Sequence, residues 1–106
     1  MAKFLIKANY SVEGIKGVLA KGGSARVASV NAAIAGVGGS VECFYFALGD
    51  HDAFIVVDLP DAVSAAALAM QVGASGGAST EVVTLLTPEQ IDAASKMTVG
   101  YTPPGG

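Results

Sequence analysis

The fold of this chain is decided by Val41-Glu42-Cys43-Phe44-Tyr45-Phe46 and Ala53-Phe54-Ile55-Val56-Val57-Asp58, two runs rich in aromatic and β-branched residues. Runs of this composition favour β-strands. The turn-forming residues Gly49-Asp50-His51-Asp52 lie between them. The two strands are therefore predicted to pair as an antiparallel hairpin at the centre of the chain.

The segments on either side of the hairpin predict a further strand at each flank, together with helices. Apolar and polar residues alternate over residues 3–10, which is the period of a strand. Ser24 is expected to begin a helix that runs to about Ala35, because apolar residues recur there at spacings of three and four. The remaining predicted elements are a short helical turn capped by Ser11 that runs through Lys21, a helix with Pro60 in its first turn that continues over residues 62–71, a strand over residues 81–86, and a last short helix capped by Thr87 with Gln90 as capping-box partner.

This order, β, α, β, β, α, β and a short helix, is the order of ferredoxin-like domains. We therefore expect an α+β fold with a four-stranded antiparallel sheet and helices on one face. The strands carry apolar residues on both faces, whereas a sheet with one solvated face shows polar residues there. A second copy is the expected cover, and two sheets packed face to face form a dimeric α/β barrel with an interior cavity.

Composition agrees with one domain and a subunit interface. Of 106 residues, 52% are hydrophobic and 14% are charged, whereas about 25% charged residues is usual. We expect a single domain over residues 1–98, an extended tail over residues 99–106, and a homodimer or higher homo-oligomer that buries the excess apolar surface.

Charge and cysteine content exclude several partners. The net charge is -3, and no two basic residues are adjacent, so the sequence predicts neither nucleic-acid binding nor attachment to an anionic membrane. Cys43 is the single cysteine and cannot form an internal disulfide, and residues 1–4 do not lead into an apolar signal segment. The expected location is the cytoplasm.

Six separated blocks of the sequence, in register with one another, resemble the GYD-domain proteins. The blocks are Gly22-Gly23-Ser24-Ala25-Arg26, Phe44-Tyr45-Phe46-Ala47, Gly49-Asp50-His51-Asp52, Asp58-Leu59-Pro60-Asp61, Leu85-Leu86-Thr87-Pro88-Glu89 and Gly100-Tyr101-Thr102-Pro103-Pro104-Gly105. The resemblance covers essentially the whole chain and implies the dimeric α+β barrel. Related barrels include cofactor-independent monooxygenases, isomerases, lyases and non-catalytic ligand binders. Where the family usually has Tyr after the Gly-Asp pair, this chain has His51.

The signature turn holds the candidate catalytic residues. A neutral imidazole at His51 can exchange a proton near neutral pH if a carboxylate orients it, and Asp50 and Asp52 are the neighbouring carboxylates. Adjacent strand residues point to opposite faces, so a turn conformation is needed to bring one Asp back to the imidazole. The alternative is that the aspartates only hold the turn.

Candidate substrate-binding residues lie on the first two strands and the first long helix. Lys7 and Asn9 share a face of strand one, where Phe44 and Phe46 would form apolar walls, and Arg26 follows a Gly-Gly-Ser helix start that suits an anion. Lys7 could instead extend to solvent, and Arg26 could be a solvated surface residue.

Two function classes follow from these candidates. The first is a cofactor-independent enzyme, of the isomerase, lyase or monooxygenase type, that transfers a proton on a small organic metabolite. The second is a non-catalytic homodimeric ligand-binding or accessory module. No cofactor is expected, because the chain has no nucleotide-binding fingerprint, and no metal site is expected, because it has one histidine. A His51 that faces a cavity favours the enzyme, and a His51 away from any cavity favours the module.

Overall fold

The computed structural model describes residues 1–106 as four strands and four helices. In chain order these are β1 (Ala2–Tyr10), α1 (Val12–Lys21), α2 (Gly23–Gly36), β2 (Ser40–Phe46), β3 (Ala53–Leu59), α3 (Ala62–Ser75), β4 (Ala78–Leu85) and α4 (Pro88–Ser95). The strands form one sheet in the order β2-β3-β1-β4, and every pairing is antiparallel. The predicted hairpin and the ferredoxin-like α+β fold are confirmed.

The region after β1 forms two helices, and the first of them, α1, covers the segment predicted as a helical turn from Ser11 through Lys21. Ser11 caps α1, its hydroxyl accepting a hydrogen bond from the backbone N–H of Gly14 at 3.1 Å. Gly22 separates α1 from α2 with a φ of 83°, a conformation that favours glycine. The second helix begins one residue before the predicted start at Ser24, because α2 already includes Gly23, and it has no side-chain cap.

The hydrophobic core lies between the sheet and the helices, on what we call the helix face of the sheet. Alternate residues of β1 and β3 point toward it and are buried, among them Phe4, Ile6 and Ile55. Ile34 of α2 and Ala65 of α3 complete the buried cluster from above. We call the other face of the sheet the open face. None of the main contacts between elements of this chain covers it.

The third helix begins later than the sequence predicts. Asp61 is its N-cap, and the carboxylate accepts a hydrogen bond from the backbone N–H of Ser64 at 2.8 Å. Pro60 therefore precedes the helix and is not in its first turn. The last helix has the predicted capping box, with Thr87 and Gln90 bonding each other's backbone N–H groups.

A β-bulge in β2 changes the direction of its side chains. Val41 pairs with Val57 and Cys43 pairs with Val56, so the strand contains one extra residue, Glu42. In a regular strand, side chains would alternate between the two faces from Val41 onward. The extra residue reverses this pattern, so each residue after the bulge points to the opposite face.

No helix of the structure is both long enough and apolar enough to span a lipid bilayer.

Candidate functional site

A partly open cavity of about 170 Å³ lies between α2, α3 and the helix face of the sheet. Its floor is formed by Ile6, Ile55 and Val82, and its walls include Val30 of α2 and Leu68 of α3. Most of its 18 lining residues are hydrophobic. Two of the five α3 residues that line it, Ala65 and Ala69, are alanines, whose small side chains leave part of the space between the helices unfilled. The cavity suits an apolar group.

The polar residues of the cavity include Tyr10, at the end of β1, and Arg26, in the first turns of α2. Burial raises the pKa of the Tyr10 phenol, while the nearby Arg26 guanidinium acts in the opposite direction. Arg26 takes part in none of the ion pairs of the chain. A cation without a carboxylate partner therefore stands beside an apolar cavity and is available to an anion.

A second, shallower groove of about 250 Å³ lies between α1 and α2. Its lining is mainly polar or glycine and includes Lys21, Gly22 and Arg26. Of the Gly-Gly-Ser helix start that the sequence identifies as suited to an anion, only Gly22 lines this groove, and Glu13 adds a negative charge to the lining. Arg26 borders both spaces, so one guanidinium serves the apolar cavity and the basic groove.

The open face carries a continuous apolar row across all four strands. The register places Cys43, Val56, Leu5 and Val83 side by side, one from each strand. All four side chains are partly buried already within a single chain. The row crosses the whole sheet, so an apolar strip on this face is exposed to water, and its burial would be favourable.

The charges on the open face are paired with one another. Lys3 Nζ lies 2.7 Å from Glu42 Oε1 and 3.1 Å from Asp58 Oδ1. The hydrogen bond to Glu42, followed by the one to Asp58, raises the pKa of Lys3. Lys7 Nζ lies 4.0 Å from Glu81 Oε1. Each lysine beside the apolar row therefore has a carboxylate partner, and the three carboxylates exceed the two lysines by one negative charge.

His51 lies on the open face and not in the cavity. Its ring packs edge-on against Phe54, with centroids 5.8 Å apart, and its Nε2 is 4.0 Å from Glu81 Oε2. Its Nδ1 is buried and has no hydrogen-bond partner. His51 lines neither cavity of the chain.

The two aspartates of the signature turn do not orient the imidazole. Asp52 accepts a hydrogen bond from the backbone N–H of Tyr10 at 2.8 Å, so its carboxylate fastens the turn to β1. Asp50 is exposed and forms no hydrogen bond with His51. The carboxylate beside the imidazole is Glu81, which the sequence analysis did not select. The sequence shows only that Glu81 belongs to the last predicted strand. Its position opposite Lys7 becomes known only from the pairing of β4 with β1.

The structure separates the predicted substrate-binding residues into two groups. Lys7 and Asn9 lie on the open face with His51. Phe44 and Phe46 lie on the helix face, opposite Ile55 and Ala53, because the bulge reverses the strand. The expectation that they wall the same space as Lys7 and Asn9 is therefore wrong; the rings on the open face are those of Tyr45 and Phe54. Arg26 lies at the helix-side cavity.

No group of three His, Cys, Asp or Glu side chains is close enough together to hold a metal ion.

Comparison with known proteins yields one match. The family model described as the GYD domain matches residues 4–95. Neither the curated proteins nor the solved structures contain a match to this chain. The family match covers most of the chain, and the ferredoxin-like sheet agrees with it. The chain therefore belongs to the GYD domain family, part of the dimeric α/β-barrel-like superfamily.

Proposed function

We propose that this protein is a homodimeric binding module for a small organic anion with an apolar body. The observation that carries the proposal is the apolar cavity with the unpaired Arg26 beside it. Apolar walls with a few placed polar groups are typical of small-molecule sites. The position of His51 on the other face of the sheet favours the binding module over an enzyme that acts in this cavity.

The size of the cavity indicates the size of the ligand. An apolar cavity of about 150 Å³ accommodates a benzene ring, and this cavity measures about 170 Å³. A ring or short branched chain would fill it, and a carboxylate on that group would meet the guanidinium of Arg26, which can bind both of its oxygens. The proposed ligand class is therefore a small aromatic or branched monocarboxylate.

The apolar row of the open face supports pairing with a second copy. Cys43, Val56, Leu5 and Val83 form an apolar strip through the centre of the sheet, and the flanking charges are already paired within the chain. Packing two such faces would bury the strip while each lysine beside it keeps a carboxylate partner from its own chain. The same surface on both copies fits a two-fold axis.

Thermal denaturation with defined probes tests the ligand proposal. We expect benzoate and cyclohexanecarboxylate to raise the melting temperature, because a ligand that binds only the folded state stabilises it. Benzyl alcohol should have a smaller effect, since it lacks the negative charge. Arg26→Ala should remove the difference between benzoate and benzyl alcohol, whereas the control Lys16→Ala should retain it. If wild type shows no preference for the acids, the assignment of Arg26 as their partner is wrong.

Sedimentation tests the pairing. The wild type should sediment at about 21 kDa, twice the chain mass of 10.5 kDa. Val56→Glu, which places a charge in the apolar row, should sediment as a monomer. Val63→Glu, at an exposed site on α3, should stay dimeric. A monomeric wild type contradicts the proposal.

A second candidate function is proton transfer at the open face, in a cofactor-independent isomerase, lyase or monooxygenase-type reaction. The observation that favours it is the buried Nδ1 of His51, which lacks a partner while Nε2 faces Glu81. Pairing of two sheets would enclose this cluster, and Lys7 and Asn9 would line the same space.

Substitution of His51 tests this candidate. His51→Ala should abolish turnover of any substrate found, with little change in stability, and His51→Tyr should not restore it, because a phenol is a poor base near neutral pH. The assay is turnover over pH 5–8, on metabolites that co-purify with the protein or raise its melting temperature. Unchanged turnover in both variants would leave the binding module as the function.

A further inference from the structure

The C-terminal segment, residues 86–106, which we call the arm, extends away from the rest of the chain. Every residue from 88 to 106 is exposed, and α4 has no substantial contact with another helix or strand. The backbone hydrogen bonds of residues 96–106 remain within the arm. The molecule is elongated as a result, measuring 57 × 32 × 24 Å.

The arm has the composition of a packed segment although it makes no substantial contact with the rest of its own chain. Its exposed apolar residues are Leu86, Ile91, Met97, Val99 and Tyr101. An isolated helix of eight residues is only marginally stable in water, and most helices depend on tertiary packing of an apolar side. The capping box of α4 stabilises its first turn but provides no such packing. A surface outside this chain is therefore needed to cover the arm.

We infer that the arm packs on α1 of a second copy of this chain. The helix α1 carries three exposed apolar residues, Val12, Ile15 and Leu19. Their spacings of three and four residues place them in a single stripe along the helix. None of its residues is buried in its own chain. An apolar helix stripe that its own chain covers only in part, and an apolar arm without substantial packing, are thus present on every copy. This inference rests on the proposed pairing of two copies.

Charge distinguishes the α1 stripe from the other exposed apolar surfaces. The helix α4 carries Glu89 and Asp92, and the one basic residue of the arm, Lys96, is its C-cap, so the acidic residues lie along the helix and the arm is negative by one charge. The helix α1 carries two lysines and one acidic residue; Lys16 pairs with Glu13 at 3.7 Å, and Lys21 has no carboxylate partner, so α1 offers one free positive charge to the acidic helix. The segment that follows the exposed end of β2 contains Asp50 and Asp52 and no Lys or Arg, and α3 carries no charged side chain. Neither of those surfaces offers a cation to the acidic helix.

Disulfide cross-linking in the full chain tests the contact. In a Cys43→Ser background, Ile15→Cys and Ile91→Cys are combined, and the oxidised protein is run on a denaturing gel and mapped by peptide mass. We expect a product of twice the chain mass that joins position 15 of one copy to position 91 of another. The matched control replaces Ile91→Cys with Ala93→Cys, on the opposite side of α4, and should cross-link much less. An intramolecular link, or equal yields from positions 91 and 93, overturns the inference.

Hydrogen exchange provides a second measurement that does not depend on cysteine chemistry. The amides of α4 should be protected in the wild-type dimer and should lose that protection in Ile91→Ser but not in Ala93→Ser. If the wild type sediments as a dimer while its α4 amides exchange freely, the arm inference fails and the pairing of the sheets stands. If the wild type is a monomer, both fail.

Discussion

Filling the cavity between α2 and α3 should stabilise the protein and block its ligand. The substitution is Ala69→Leu, because Ala69 lines the cavity from α3. An empty apolar space costs about 24 cal/mol per Å³, so 170 Å³ corresponds to about 4 kcal/mol as an upper limit. Three added carbon atoms contribute about 2.4 kcal/mol, less roughly 0.5–1 kcal/mol for the lost rotamer freedom of leucine.

The expected net gain is therefore about 1.5–2 kcal/mol, or roughly 6–10 °C in melting temperature for a domain of this size. The matched control is Ala67→Leu, on the exposed side of the same helix, which should change the melting temperature little. Differential scanning calorimetry with and without benzoate measures both the stability and the ligand response. The increase in melting temperature caused by benzoate should vanish in Ala69→Leu and persist in wild type and Ala67→Leu. A lower melting temperature in Ala69→Leu than in wild type would show that the site is already packed, since overpacking a full core costs about 1–3 kcal/mol.

Three further substitutions test the fold. Gly22→Val should destabilise more than Ser24→Ala in urea titration, because Gly22 has a φ of 83° and Ser24 caps nothing; equal midpoints would contradict the need for glycine. Leu59→Ala should cost about 2–5 kcal/mol of unfolding free energy, because the side chain is 0% exposed, whereas Leu48→Ala, at a fully exposed residue, should cost almost nothing. The pKa of Asp61 lies below its ordinary value of 3.8, chiefly because its carboxylate accepts a backbone hydrogen bond from Ser64. The charge of Asp61 therefore stabilises the fold above pH 3.8. This contribution disappears as the pH falls through the lowered pKa. Asp61→Asn should therefore melt below wild type at pH 5 and approach it at pH 2, and a difference independent of pH would exclude the charge as its cause.

The parts of the fold that depend on local sequence could be predicted. The arrangement of the candidate site could not, because it depends on pairing between segments that are distant in the sequence. The hairpin of β2 and β3 and the capping box at Thr87 are each encoded within a few residues. The contact of His51 with Glu81 joins residues thirty positions apart and needs the register of β4 against β1. The bulge at Glu42 has no clear local signal, and for that reason Phe44 and Phe46 were assigned to the wrong face.

The order of the strands also determines how copies of this chain can associate. β2 and β4 form the two edges of the sheet, and unpaired strand edges readily add strands from other molecules. Each edge carries one glutamate within the strand, Glu42 on β2 and Glu81 on β4, and β2 is further distorted by its bulge. Charged side chains and bulges on edge strands oppose such growth. Growth of the sheet from edge to edge, which has no natural end, is thereby disfavoured, and the apolar face remains as the route to an assembly of limited size.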